Sequence, residues 1–139
     1  MTLPHQKYRI FLETLTPQTL NDLPHHVAVD VHFADPFNDV VGASAMAAVL
    51  QHMFDNVKDI RFRVVEEATN GHIVFWNWTF DAQFCGKPWR VPGTSVLRFS
   101  PDGRVTEHID YWDAAQHFYE KLPLIGTLLS GIRWRISQN

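Results

Sequence analysis

His108, Asp110 and Trp112 stand two residues apart near the end of an extended-looking run, and far upstream Asp35 precedes Pro36. On a strand alternate residues share a face, so these three point one way while Ile109, Tyr111 and Asp113 point the other. A face that combines an imidazole, a carboxylate and an indole is unusual for a packed core and ordinary for a ligand pocket. Along a strand, His108 and Asp110 lie about 6.5–7 Å apart by Cα spacing, near enough for their side chains to hydrogen-bond. Such a bond fixes the ring tautomer and equips His108 as a general acid or base; the competing reading is a buried structural ion pair. Asp35 also has two readings. It is a carboxylate base if it faces a cleft, or simply a strand end, because Asp favours turns and the pre-proline residue stays extended.

Other reactive side chains are less organised. Cys85, beside Gly86, has no base near it in sequence, which argues against a nucleophilic role. The adjacent His25 and His26 cannot easily both face one metal and read as surface, as do Asp81 and Arg90 near strand ends. No His or Cys cluster has the spacing of a structural zinc site, and no metal or cofactor is expected. Asp113, followed by Ala114-Ala115-Gln116-His117, reads as a helix N-cap.

The elements that must position these residues follow from periodicity. Tyr8, Phe11, Leu12 and Leu15 form one apolar helical stripe. Thr16-Pro17 supplies the N-cap and first position of a second helix, short or bent because of Pro24. Residues 29–34 alternate as a short strand that runs into Asp35-Pro36, and after Gly42, Ser44 caps a third helix ending near Asn56. From Ile60 the period is two, and 60–67, 72–84, 89–99 and 104–112 read as strands. Their links at Asn70-Gly71, Gly86-Lys87-Pro88 and Ser100-Pro101-Asp102-Gly103 are turn-like, which makes neighbours antiparallel. Helices first and a meander afterwards predict an α+β fold with helices on one face of a curved sheet. In the tail, Leu124, Ile125, Leu128, Leu129 and Ile132 share a helical face, with Arg133 and Arg135 at its end.

Composition narrows the function classes. The 139 residues suit one domain with a substantial core, and 45% apolar against 19% charged residues is a globular balance. A net charge of -3 gives no electrostatic footprint for nucleic acid. The single cysteine excludes an intrachain disulfide and suits a reducing compartment. The first residues read as a helix rather than a secretory signal, and no run of about 18 apolar residues is present, so a cytoplasmic location is expected. Five tryptophans suggest an aromatic-lined interior. The tail, with Trp134 and two arginines, has the makings of a membrane-surface contact. Pro123, Gly126 and Gly131 interrupt it and two arginines attract lipid weakly, so packing over the cavity mouth or in a dimer contact is preferred.

Three helices, the strand end Phe33-Ala34-Asp35-Pro36, a four-strand meander and the closing His108-Ile109-Asp110-Tyr111-Trp112-Asp113 together resemble the nuclear transport factor 2-like superfamily, and within it SnoaL-like proteins. The resemblance spans about residues 5–118 of a single domain, 1–139; the extension 119–139 is similar to a Leu-Pro-Leu-Ile-Gly helix that ends a subgroup of bacterial SnoaL-like proteins. It implies a cone-shaped α+β barrel and a homodimer formed through the outer sheet face, where Val96, Ile109 and Tyr111 are not polar. The superfamily includes ketosteroid isomerases, which combine an Asp base with an oxyanion hole of a Tyr and a protonated Asp. Asp35 matches the base, but the Tyr position falls on Phe11 and the second Asp on Ser95, so ketosteroid isomerisation by that route is not expected. The resemblance also puts Trp76, Trp78 and Phe80, then Ser95 and Leu97, on the cavity side with His108, Asp110 and Trp112. A carboxylate near this strand end is catalytic in SnoaL-like cyclases, which keeps Asp113 a candidate. The expected protein is a cofactor-independent isomerase, cyclase, dehydratase or hydrolase acting on a small apolar or carbonyl-containing ligand through Asp35, His108 and Asp110. The other expectation is a non-catalytic ligand-binding or dimeric interaction module.

Overall fold

In the computed structural model, which describes residues 2–122 and 125–137, the chain opens with helix α1 (Pro4–Glu13). Pro4 occupies the first helical position and the Gln6 side chain accepts the Leu3 N–H at 3.0 Å. Tyr8 and Phe11 turn inward from α1 as the stripe requires. The second helix is not α-helical. Thr16 accepts the Thr19 N–H, and with Pro24 inside the segment the chain forms a 3-10 helix over Thr19–His25. His26, expected at the surface, is half-buried and stacks on Phe11 (4.2 Å between ring centroids); burial lowers its pKa.

Strand β1 (Val27–Ala34) is longer than predicted, and a three-residue strand β2 (Asp39–Val41), too short for a periodic signal, pairs with it. Helix α2 (Ala43–Asn56) begins after Gly42, not Ser44. Gly42 has φ +113°, a conformation that glycine adopts without penalty, so the chain reverses there and Ser44 falls inside the first turn. The meander follows: β3 (Lys58–Asn70), β4 (Ile73–Phe84), β5 (Lys87–Phe99) and β6 (Val105–Tyr111). The β4–β5 link is Cys85-Gly86, both at positive φ as a two-residue hairpin turn requires. Pro88 and Pro92 lie inside β5, but only in the part that β6 does not pair, where a missing N–H breaks no ladder.

The sheet order is β2-β1-β6-β5-β4-β3. All neighbours are antiparallel except β1 and β6, which run parallel with Phe33 opposite His108 and Ala34 opposite Ile109. The sheet is curved and not closed, and with its helices it forms the expected α+β fold. At the β3 bulge beside Val64, Glu13 accepts the Val64 N–H (2.9 Å) while Arg9 donates to the Val64 carbonyl (3.1 Å), so α1 satisfies backbone groups that the irregular ladder leaves unpaired. Leu23, Val31, Met46, Trp76, Leu97 and Val105 are fully buried between helices and sheet.

Asp113 accepts the Gln116 N–H (3.0 Å) and caps helix α3 (Ala114–His117), as expected of it. Helix α4 (Ile125–Ile136) packs chiefly on the 3-10 turn Tyr119–Lys121, where Gly126 lies so close to Glu120 that a Cβ would overlap its carbonyl. Pro123 and Leu124, part of the tail reading, lie outside the described residues. Among the described residues, no helix is long and apolar enough to cross a membrane.

Candidate functional site

A cavity of about 460 Å³, in the range of small-molecule sites, lies between α2 and the inner sheet face. Met46, Leu50 and Met53 of α2 form one wall, and Trp78, Phe80, His108, Asp110 and Trp112 come from the sheet. Asp35, Asp110 and Trp112, at one end of the cavity, also border a second depression lined by Ala34, Ile109 and Tyr111. Phe37, Trp89 and Phe118 close that end, and the Trp89 indole N–H donates to the His117 carbonyl (2.6 Å), tying α3 to the sheet.

A directed hydrogen-bond chain holds Asp110. Burial, and then the Asp110 charge, push the Tyr8 pKa well above that of an ordinary phenol, so Tyr8 keeps its proton. Its hydroxyl therefore donates to His108 Nδ1 (2.7 Å), which leaves the ring proton on Nε2 to donate to Asp110 Oδ1 (2.7 Å). On the other side the Trp78 indole donates to Ser95 Oγ (2.8 Å), and the Ser95 hydroxyl donates to the same Asp110 oxygen. Asp110 Oδ1 thus accepts two bonds. Oδ2 has no protein partner among the described residues, and it is the oxygen available to a ligand.

Asp35 is the residue after Ala34, whose partner on the parallel neighbour is Ile109, so Asp35 and Asp110 stand side by side on adjacent strands. Its turn supports it: Asp35 Oδ1 accepts the Phe37 and Asn38 N–H groups at 2.8 Å each, and the Asn38 side chain reaches both carboxylate oxygens (3.1 and 3.2 Å). Burial raises the Asp35 pKa against these bonds, and the Asp110 charge raises it further.

Of the residues expected to form the site, Asp35, His108, Asp110, Trp78, Phe80 and Trp112 line one cavity. Phe11, Trp76 and Ser95 do not. Phe11 is occupied by His26, while Tyr8 stacks over Trp76 (5.9 Å), whose indole donates to Glu67. Ser95 has no exposed surface and acts on the cavity only through Asp110. Both nitrogens of His108 are engaged, so it positions Asp110 and presents no nitrogen to a ligand. Sequence reasoning missed Tyr8, Asn38 and Gly93. Tyr8 carried a signal, since a phenol in a buried helical stripe needs a partner for its hydroxyl. Asn38 sits within reach of an Asx turn begun by Asp35. Gly93 lies under the Trp78 ring, where a Cβ would overlap the indole. Among the described residues no group of three or more His, Cys, Asp or Glu side chains is placed to hold a metal ion.

The family model described as SnoaL-like domain matches residues 8–108. No curated protein matches the chain. Solved structures share its fold. An LEH-like epoxide hydrolase of M. tuberculosis matches with TM-score 0.71 at 18% identity, covering 93% of this chain and 91% of that one. A hypothetical protein with a ketosteroid isomerase-like fold from Catenulispora acidiphila DSM 44928, in complex with trimethylamine, matches with TM-score 0.70 at 15% identity, covering 82% and 88%. A SnoaL-like polyketide cyclase from Agrobacterium tumefaciens str. C58 matches with TM-score 0.68 at 16% identity, covering 81% and 93%.

Proposed function

We propose that this chain, which belongs to the SnoaL-like domain family, binds a small, largely apolar molecule in the cavity and moves a proton on it with Asp110 and Asp35. The observation that carries the reading is the pair of neighbouring carboxylates in the cavity wall, one of which keeps an oxygen without a protein partner among the described residues. Asp110 Oδ2 is the base. Asp35, its pKa raised by burial and by the Asp110 charge, is the group that holds or returns the proton. His108, Tyr8, Ser95 and Trp78 fix the Asp110 oxygen that the ligand does not meet. Isomerisation, cyclisation, dehydration and hydrolysis all use such a transfer, and neighbours of this fold are named as a polyketide cyclase and an epoxide hydrolase.

The test is a thermal-shift screen of small ketones, lactones and epoxides, followed by product analysis for each compound that binds. Turnover is expected for at least one, with Asp110→Asn reducing it by about 10²–10⁴-fold while the variant stays folded. Binding without turnover across all such compounds favours a carrier over an enzyme. One observation speaks for that second reading: Asp35 accepts four bonds from its own turn, as a purely structural residue would. Absence of binding by every compound refutes both readings for carbonyl and epoxide ligands.

The chain is also proposed to pair with a second copy through the outer sheet face. The register lines up Ala68, Phe75, Val96, Ile109 and Ala34 as an apolar row across five strands. Tyr111 and Val65 add exposed apolar surface on the same sheet.

A further inference from the structure

The charge and hydrogen-bonding character of the cavity wall is one-sided. Its carboxylates are Glu13, Asp35 and Asp110, and no Lys or Arg side chain lines it among the described residues. Glu13 is already matched by Arg9 (3.2 Å) and the Val64 N–H, and Asp110 meets His108 (2.7 Å), so Asp35 and Asp110 are the lining carboxylates that no Lys or Arg faces among the described residues. Donors are scarce on the same wall. The indoles of Trp78 and Trp89 are engaged with Ser95 and His117, and the Asn38 amide with Asp35, so among the described residues Trp112 carries the one lining indole N–H without a protein acceptor. Two histidines also line the cavity: His108, whose ring nitrogens are engaged by Tyr8 and Asp110, and His52, which lies on α2. A ligand anion or strong acceptor meets little to hold it, whereas a donor or cation meets two carboxylates.

The walls beside those carboxylates are aromatic and mutually perpendicular. Trp112 stands edge-on to Phe37 (5.3 Å, 80°) and to Trp89 (6.0 Å, 72°), and Phe37 is edge-on to Phe118 (5.0 Å, 67°). These rings pack on one another edge to face and line the cavity, and an aromatic face beside a carboxylate attracts an alkylated ammonium ion. We propose that the cavity selects a small organic cation, an amine with alkyl substituents, whose charge lies against Asp35 and Asp110 and whose alkyl groups pack on Trp112 and its aromatic neighbours. This rests on the cavity being the ligand site and names the class of ligand it takes. Asp35 is held above its ordinary pKa by burial and the Asp110 charge, and a cation between the two removes part of that penalty.

The experiment compares choline with 3,3-dimethyl-1-butanol, its neutral isostere of the same shape, by calorimetric titration of the full chain at matched ionic strength. Choline is expected to bind about tenfold or more tightly than the isostere. Asp110→Asn, or Asp35→Asn should the first variant not fold, is expected to erase that preference. Trp112→Leu is expected to weaken choline more than the isostere, and Leu50→Trp, which fills the cavity, to abolish binding of both. Equal or tighter binding of the isostere, blocked by Leu50→Trp, overturns the cation class and leaves the cavity as an apolar ligand site. Choline binding that persists in Leu50→Trp or in both Asn variants overturns the proposal, because the cation is then held elsewhere. If neither probe binds, the cation class and the ligand-site reading fall together.

Discussion

At the scale of single residues, Asp110 owes its position to His108 and, through it, to a phenol one hundred positions before that histidine. The Tyr8 hydroxyl donates a hydrogen bond to His108 Nδ1 and so leaves the ring proton on Nε2, which faces Asp110. Tyr8→Phe leaves that buried nitrogen without a donor, which costs about 1–3 kcal/mol; urea unfolding is expected to show the loss, and an unchanged midpoint refutes the tautomer assignment. Asp35 makes a pH-dependent contribution. Its folded pKa is raised, so the native state binds the proton more tightly than the unfolded chain does. The resulting stability is fully present below the unfolded value of about 3.9 and is lost as pH rises through the higher folded value. Asp35→Asn is expected to remove this descending component, read as the difference between the two proteins' stabilities measured across that window. His108 and Asp110 were legible as a pair because strand alternation puts them on one face. Tyr8 was legible only as an apolar position, since nothing local says what a helix will dock against.

At the scale of elements, the tryptophan run of β4 divides according to what covers it. Trp76 meets α1 through Tyr8 and becomes core; Phe80 lies beyond the reach of α1 and lines the cavity; Trp78 serves both, because Gly93 on β5 leaves room for its ring. Gly93→Ala therefore displaces Trp78 and its bond to Ser95. We expect a loss of about 1–3 kcal/mol with a shift in tryptophan emission, whereas Gly131→Ala, where a Cβ meets open space, leaves the midpoint unchanged or higher. Period-two alternation found β3 to β6 and the facing of the last strand, while the facing of β4 and β5 came from the family resemblance. It could not find β2, three residues long, nor the start of α2, because Gly42 carries a backbone conformation rather than a side-chain signal.

At the scale of the whole molecule, the inner sheet face is covered by helices and the outer face carries the apolar row centred on Phe75 and Val96. If that row is the contact between two copies, Phe75→Arg converts a dimer to a monomer in light scattering with its circular dichroism unchanged; a wild-type monomer refutes the contact. By itself the sequence determined the α+β class, the meander and the shared facing of His108, Asp110 and Trp112, because periodicity and turn chemistry act over a few residues. Only the tertiary structure decided that β1 lies parallel to β6. That one pairing brings Asp35 beside Asp110 across more than seventy residues of chain, and the closing of α1 and α3 over the sheet then sets which aromatic rings become core and which line the cavity. Local patterns encode which face a side chain takes; what shares that face with it depends on contacts between distant segments, and burial energy has no sequence address.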